Sequence, residues 1–379
     1  MKEGYRVLGE YIRQVDIRNK EGKKENLLGV SVQKQFIQSI ANTVGTDFTK
    51  YKVVKKGQFT YIPDTSRRGD KIAIALLEDY EEGLVSNVYT VFEVIDTEKL
   101  LPEYLMLWFS RPEFDRYARF KSHGSVREVM DWEEMCKVEL PVPDIEKQRK
   151  IVKAYKTITD RIALKQKIND NLEQQARTLY QRMFIDNPVS EGYMGTLSDI
   201  ADITMGQSPN GSSYNEDGNG AVFFQGRAEF GFRFPSVRLY TTEPKRMACA
   251  NDTLMSVRAP VGDLNVAYTD CCIGRGLAAI HSKSNQQSFV LYTMFSLHKQ
   301  LDVFNGEGTV FGSINRTALT ELPIFIPSDR EIVKFEAIVA PIDAAIRNNY
   351  EEICRLEKIR DALLPKLMSG ELDVSAIEL

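Results

Sequence analysis

Two long segments of the chain carry apolar side chains at steps of three and four residues. The first segment follows Pro143 and the second follows Pro327. Both lack internal glycine and are rich in Lys, Glu, Gln, Arg and Ala, so each pattern predicts an unbroken helix of about 40 residues, on the order of 60 Å long. Asp144 is a suitable N-cap for the first helix, and Pro341 and Pro365 predict a kink or an early end in the second.

The apolar stripe of each predicted helix is narrow. Its period of roughly 3.5 residues suits contact with a partner helix better than contact with water. We expect the two helices to pack on each other, and the alternative is that each helix packs only on its own globular part. The residues expected at the helix-helix contact are Ile151, Ile158, Ile162, Leu172 and Leu179 in the first helix and Phe335, Ile342, Ile346, Leu356 and Leu363 in the second.

The globular parts contain short β-rich runs separated by Gly, Asn, Asp and Pro. Strands are predicted over residues 51–54, 58–62, 88–94, 221–224, 253–257 and 265–268. One helix each is predicted over residues 101–120 and 287–304. The globular parts are therefore expected to be mixed α/β modules.

The chain repeats itself, and repeats constrain a fold more than any single motif does. Adding 184 to a residue number pairs identical residues without a gap from 107 to 179, for example Leu107 with Leu291 and Pro143 with Pro327. Ahead of this block the match needs shifts, with residues 56–59 placed on 251–254. We expect an internal pseudo-two-fold repeat with modules at 1–143 and 187–327, a helix at 144–186, and a second helix with the C-terminal tail at 328–379.

Composition limits the classes of function. The 379 residues are 43% hydrophobic and 27% charged, which is typical of a globular protein, and no apolar run is long enough for a membrane span. The five cysteines lack zinc-finger spacing, which favours reduced cytosolic thiols. A net charge of −4 argues against a chain that coats nucleic acid, so any DNA contact must come from local patches.

Catalytic motifs are missing from the sequence. A P-loop, a GxGxxG turn between strand and helix, and an Asn-Pro-Pro-aromatic tetrapeptide are all absent. The three histidines, His123, His281 and His298, have no neighbours at metal or catalytic-triad spacing. We therefore expect no catalytic residue, no metal site and no cofactor in this chain.

The modules do contain Arg, Lys, Asn, Gln and hydroxyl side chains clustered in turn-rich segments. These side chains contact phosphates and base edges in DNA complexes. The predicted DNA-binding residues are Lys34, Arg67, Arg68, Asn87, Tyr89, Lys121, Ser125 and Arg127 in the first module, and Gln207, Gln225, Arg227, Arg258, Arg275, Ser313, Asn315 and Arg316 in the second. Solvated turns without function are the alternative interpretation of each loop.

A family resemblance rests on several of these features together. They are the order module, helix, module, helix; the strand and proline entries at residues 140–143 and 322–327; the segment Leu-Leu-Pro-Lys-Leu-Met-Ser-Gly-Glu-Leu at 363–372; and the motifs at 206–209, 224–226 and 254–263. Together they resemble the specificity subunit of type I restriction-modification systems over nearly the whole chain.

The resemblance implies two target-recognition domains joined by two long antiparallel helices that form a coiled coil. Each domain would recognise one half of a bipartite, asymmetric site in double-stranded DNA, and the coiled coil would set the spacer. The implied partners are two methylation subunits and up to two restriction subunits. Adenine methylation with S-adenosylmethionine, and cleavage with ATP and Mg²⁺, would belong to those partners, in a system for phage defence.

Two alternatives remain open from the sequence. One is a non-enzymatic coiled-coil adaptor that binds protein partners, which failure to bind any duplex would favour. The other is an enzyme with an unfamiliar site, which stoichiometric binding of S-adenosylmethionine by the isolated chain would favour.

Overall fold

The computed structural model describes residues 4–39, 43, 45–65, 71–122, 128–186, 191–306, 312–372 and 374. Its contacts divide the chain into two compact units. The first consists of Met1–Leu164 with Ile353–Leu379, and the second of Lys165–Glu352. Each unit contains one module and a part of each long helix. The finer division into four segments stays a prediction.

The first unit begins with a module of short strands and helices. Its strands are β1 Tyr5–Val7, β2 Ile12–Val15, β3 Ile17–Arg18, β4 Leu28–Val30, β5 Phe36–Gln38, β6 Lys52–Lys55, β7 Phe59–Tyr61, β8 Ile74–Leu76, β9 Glu82–Val85, β10 Thr90–Val94 and β11 Glu139–Pro141. Its helices are α1 Pro102–Phe109, α2 Pro112–Lys121 and α3 Trp132–Cys136, followed by the long helix α4 Ile145–Tyr180. A π-helical turn, Gln181–Asp186, follows the end of α4 within the second unit.

An antiparallel sheet in the order β2-β10-β7-β8 forms the base of the first module. Phe59 on β7 stacks on Phe92 of β10, with 4.8 Å between the ring centroids. The same core includes Ile151 from α4 and Leu367 from the last turns of the second long helix. The ends of both long helices are therefore anchored on this module.

The second unit has its own module with the same base. Its strands are β12 Gly192–Thr196, β13 Ala201–Met205, β14 Tyr214–Asn215, β15 Ala221–Phe224, β16 Leu239–Thr241, β17 Met247–Ala248, β18 Thr253–Ser256, β19 Leu264–Val266, β20 Cys271–Ile273, β21 Leu277–Ser282 and β22 Pro323–Pro327. Its helices are α5 Leu197–Ile200, α6 Gln287–Ser296, α7 His298–Asp302 and α8 Arg316–Thr320, and the long helix α9 is Asp329–Ser369.

The predicted repeat is confirmed by the elements themselves. The four-stranded sheet β13-β21-β18-β19 of the second module corresponds strand by strand to β2-β10-β7-β8 of the first. The pairing of β12 with β22 likewise corresponds to that of β1 with β11. Helices α3 and α8, and the starts of α4 and α9, differ by the predicted offset of 184. The remaining strands differ, because β14-β16-β15-β20-β17 form a sheet in the second module whereas β3-β6-β9 and β4-β5 pair in the first.

The long helices pack on each other within each unit, and they run antiparallel. In the second unit, Lys165 Nζ lies 2.9 Å from Glu352 Oε2, and Asn349 donates to Asn169 Oδ1 at 2.8 Å. In the first unit, Ile151 and Leu364 belong to one core. Because Asn169 is only 3% exposed, its hydrogen bond with Asn349 favours one register of the two helices.

The ten side chains expected at the helix-helix contact are buried or half-buried in the structure. Ile151, Ile162, Phe335 and Ile346 are buried, and Ile158, Leu172, Leu179, Ile342, Leu356 and Leu363 are half-buried. The predicted N-cap is also present, since Lys147 donates its amide to Asp144 Oδ1 at 2.9 Å.

Several predicted element boundaries are wrong. The helix expected over 101–120 is two helices, because Pro112 cannot continue α1 and instead begins α2. The helix expected over 287–304 also divides, at Leu297, which ends α6 and precedes α7, and the Ser296 hydroxyl there donates to the Thr293 carbonyl. Conversely, α9 continues past Pro341 and Pro365 and ends before Gly370, whose φ is +76°.

Candidate nucleic-acid interface

The predicted DNA-binding residues of the second module cluster at one end of its base sheet. Met205, the last residue of β13, lies opposite Ala278 near the start of β21. Ser256, the last residue of β18, lies opposite Leu277, where β21 begins. The loops that carry Gln207, Arg258 and Arg275 therefore leave the sheet at the same end.

Hydrogen bonds join these loops into one surface. The Gln207 amide donates to the Ile273 carbonyl at 2.9 Å, and the Val257 amide donates to the Gly276 carbonyl at 3.0 Å. The Arg275 amide donates to Ser208 Oγ at 3.3 Å. The side chains of Gln207, Arg258 and Arg275 are exposed above this frame. We call the surface formed by the loops of Gln207, Gln225, Arg258, Arg275 and Ser313 the loop surface.

Ser313 joins the loop surface through a β-bridge to Arg258. Two backbone bonds flank the bridge, from Ala259 to Gly312 at 3.0 Å and from Ile314 to Val257 at 3.1 Å. The Asn315 side chain accepts from the Ala318 amide at 2.9 Å and so caps α8. Its carbonyl oxygen is thus occupied by the fold, while the neighbouring Arg316 is exposed.

Gln225 borders the same surface, but Arg227 has an acidic partner. A Cβ atom on Gly274 would lie 2.8 Å from the Gln225 carbonyl oxygen, so the two loops touch through backbone. Gln225 itself is exposed. The Arg227 guanidinium is ion-paired with Asp263, and a DNA phosphate would have to compete with that carboxylate.

Gly206 allows the loops to approach this closely, and replacing it with alanine tests the frame. The added Cβ would lie 2.1 Å from the Gly274 carbonyl oxygen, so the loops must separate. We expect Gly206→Ala to lower the free energy of unfolding by about 1–3 kcal/mol in urea denaturation. Gly211→Ala is the matched control, because no described atom lies within 4 Å of its Cβ position; equal effects of the two substitutions would contradict the close approach.

The first module repeats the bridge. Asp64 pairs with Val129 as Arg258 pairs with Ser313, and Thr65 donates its amide to the Glu128 carbonyl at 2.9 Å. The Thr65 hydroxyl also donates to Ser122 Oγ at 2.9 Å. The predicted residues Arg67, Arg68, Ser125 and Arg127 lie outside the described residues.

Asn87 and Tyr89 lie in the turn between β9 and β10, and Thr90 of β10 pairs with Tyr61 at the end of β7. This is the sheet end from which Thr65 departs. Asn87 is exposed, whereas Tyr89 is half-buried. Of these two side chains, Asn87 is the better placed to contact a ligand.

The ammonium groups of Lys34 and Lys121 each lie near an acidic side chain of the first module. Lys34 is half-buried, with its side chain 9% exposed, and its Nζ lies 2.5 Å from Asp115 Oδ1 and donates to the Ile72 carbonyl at 2.8 Å. Burial lowers the pKa of Lys34, although its hydrogen bond to Asp115 opposes that shift. Lys121 ends α2 with its ammonium 4.0 Å from Glu134. The ammonium of Lys34 is thus committed to the fold of the module.

Two clusters in the second unit give no signal in the sequence because their members are far apart in the chain. Arg233 contacts Glu173, Tyr292 and Asp343 in the interior. Cys249, Asp252 and His281 lie together at the surface. His281 has no metal-ligating neighbour along the sequence, but strand pairing supplies one.

The chain is similar in sequence to specificity subunits of type I restriction enzymes. Residues 9–174 match the family model described as the type I restriction modification DNA specificity domain. The chain is 28% identical over 352 residues to a putative type I restriction enzyme MjaX specificity subunit of Methanocaldococcus jannaschii, covering 86% of this chain and 81% of that protein. It is 23% identical to the type I restriction enzyme HindI specificity subunit of Haemophilus influenzae, covering 85% of this chain and 88% of that one.

A solved structure shares the fold. The crystal structure of a type I restriction-modification system S subunit from M. genitalium superimposes with a TM-score of 0.60, covering 96% of this chain and 95% of that one at 14% sequence identity.

The region that matches the family model, residues 9–174, includes most of the first module and most of the first long helix. The predicted resemblance of the chain to type I specificity subunits is confirmed over most of its length. None of the helices in the described parts of the chain combines the length and the apolar composition that crossing a bilayer requires.

Proposed function

We propose that this chain recognises a bipartite, asymmetric DNA site for a type I restriction-modification complex, without catalysing a reaction itself. Each module would recognise one half-site. The observation that carries the proposal is the loop surface: exposed Arg and Gln side chains converge at one end of a sheet whose frame occurs in both units. A shared frame with different loops and outer strands suits recognition of two different half-sites.

The chemistry of the loop surface fits base recognition. Arg258 and Arg275 present planar guanidinium groups that can bind guanine through two hydrogen bonds, and Gln207 and Gln225 present amides that match adenine. Backbone amides, Ser313 and Arg316 are suited to phosphates, which position a module without specifying sequence. The net charge of −4 implies that basic partners contribute to holding the duplex.

The remaining parts of the proposal concern the complex. The antiparallel helices would set the spacer between the half-sites. Two methylation subunits and up to two restriction subunits would bind this chain. S-adenosylmethionine, ATP and Mg²⁺ would be bound by those partners, and the methylation subunits would extrude the target adenine from the duplex.

Binding to random-sequence duplex tests the proposal against the adaptor alternative. The chain is mixed with its methylation partner, and the fluorescence anisotropy of labelled DNA is measured at two salt concentrations. We expect saturable binding that weakens as salt rises, because phosphate contacts release counterions. If the assembled complex binds no duplex even at low salt, the chain is an adaptor for protein partners.

A further inference from the structure

Three side chains that can each supply a metal ligand meet in the second module. Cys249, Asp252 and His281 place a sulfur, a carboxylate oxygen and a ring nitrogen within 4.8 Å of one another. The shortest separation joins His281 Nδ1 and Asp252 Oδ1, at 2.6 Å. Asp252 directly precedes β18 and Arg258 follows its end, so the cluster lies at the opposite end of this strand from the loop surface.

A short turn fixes two of the three ligands. The Asp252 amide donates to the Cys249 carbonyl at 3.1 Å, and the Cys249 amide donates to Asp252 Oδ2 at 2.8 Å. Asn251 has a φ of +74°, a left-handed conformation that asparagine tolerates better than most residues. The thiol and the carboxylate are therefore held near each other by local backbone.

Strand pairing brings the third ligand to this turn. Thr253 of β18 lies opposite Ile280 of β21, so His281 is beside Asp252. The Asp252 side chain is only 5% exposed, whereas that of His281 is 50% exposed. Cys249 is exposed as well. An ion could thus enter from solvent and keep one coordination position for water.

We propose that Cys249, Asp252 and His281 bind a zinc ion, a site that lies outside the DNA-recognition function. A thiolate, an imidazole and a carboxylate are ligands that Zn²⁺ accepts in tetrahedral geometry. With Zn–N and Zn–O bonds of about 2.1 Å, a nitrogen and an oxygen bound to the same ion in tetrahedral geometry lie about 3.4 Å apart. His281 must therefore move by roughly 0.8 Å from Asp252, and a half-exposed imidazole can do so by rotation.

The zinc ion has a structural role in this position. Arg347 of α9 donates to Asn251 Oδ1 at 2.8 Å and to the Tyr268 carbonyl at 2.6 Å, which ties the turn to the long helix. A metal bond from the turn to β21 adds a cross-link between this sheet and that helix within the second unit. Zinc binding is therefore expected to raise the Tm of the chain.

Titration of the full-length, untagged chain with Co²⁺, a spectroscopic substitute for Zn²⁺, tests the site. We expect one equivalent to bind with a thiolate-to-cobalt charge-transfer absorption, and Zn²⁺ to abolish that absorption. Cys249→Ser removes the absorption, and His281→Ala weakens binding at least tenfold. Cys354→Ser, which changes a half-buried cysteine on α9, leaves the titration unchanged.

Three results would overturn the zinc site: no stoichiometric binding by the wild-type chain at micromolar protein, an absorption that survives Cys249→Ser, or an absorption lost in Cys354→Ser. Circular dichroism of each variant establishes that it is folded. Because no DNA is present, the outcome is independent of the proposed recognition function.

Discussion

Replacing Arg233 with alanine is expected to lower the free energy of unfolding of the second unit by about 3–5 kcal/mol, the usual cost of leaving buried charges without their partner. The Arg233 side chain is only 4% exposed, and its two terminal nitrogens lie 3.0 Å from Glu173 and 3.1 Å from Asp343. It also donates to the Tyr292 hydroxyl at 3.2 Å. Loss of Arg233 thus leaves two half-buried carboxylates without their cationic partner.

The pKa of Arg233 also indicates that its acidic and phenolic neighbours stabilise the charged guanidinium. Burial alone lowers the pKa of this guanidinium, but Tyr292, Asp343 and Glu173 together raise it above its ordinary value. Glu173 lies on α4 and Asp343 on α9, so one side chain from the module joins both long helices. Its removal therefore loosens the module from the helix pair of the second unit.

Urea denaturation followed by circular dichroism measures the effect. Lys334→Ala is the control, because its pair with Glu331 is on the surface of the same unit and is expected to contribute less than about 1 kcal/mol. Combining Arg233→Met with Glu173→Gln and Asp343→Asn removes the unpaired charges and is expected to recover most of the loss. A loss below about 1 kcal/mol in Arg233→Ala would show that the network does not hold the module.

Replacing Arg258 with alanine is expected to weaken binding to the cognate duplex roughly 5- to 150-fold, from the loss of one guanidinium contact to a base, about 1–3 kcal/mol. The Arg258 backbone is fixed by its bridge to Ser313, so truncation removes the exposed side chain without disturbing the loop. Binding to random-sequence duplex should fall much less, because phosphate contacts remain.

Anisotropy of the complex with its methylation partner on cognate and random duplexes gives both affinities. Lys283→Ala is the control, because this cation lies just beyond the end of β21 that is opposite to Arg275. It should leave the ratio of the two affinities unchanged. An equal loss on both duplexes for Arg258→Ala would assign Arg258 to phosphate instead of a base.

The sequence predicted those parts of the fold that depend on local periodicity. The helix after Pro143 and its cap at Asp144 follow from a repeated pattern and one side-chain preference, and both are present. Strand register was harder to predict, because register depends on pairing between distant segments. Strands β2 and β13 begin at Ile12 and Ala201, which pair with Val94 and Ser282, so Phe92 corresponds to Ile280. Because Phe59 pairs with Phe92 and Thr253 pairs with Ile280, Phe59 corresponds to Thr253, one residue from the predicted match with Leu254.

The candidate site was predicted as a set of loops, but not as a surface. Turn-rich segments with Gln207 and Arg275 are visible in the sequence, whereas the hydrogen bonds that bring them together cross about 70 residues. Lys34 was predicted to contact DNA because its sequence context resembles a solvated turn. Its ammonium instead binds Asp115, which is 81 positions away in the chain. Interior networks such as that of Arg233 are invisible for the same reason.

Mapping methylated adenines in the DNA of cells that express the chain with its partner subunits tests whether each module recognises one half-site. The wild type is compared with Arg258→Ala and with Asn87→Ala, which changes the exposed turn of the first module. We expect a bipartite motif in the wild type, with degeneracy confined to one half in Arg258→Ala and to the other half in Asn87→Ala. A continuous motif, or degeneracy of the same half in both variants, would contradict recognition of one half-site by each module.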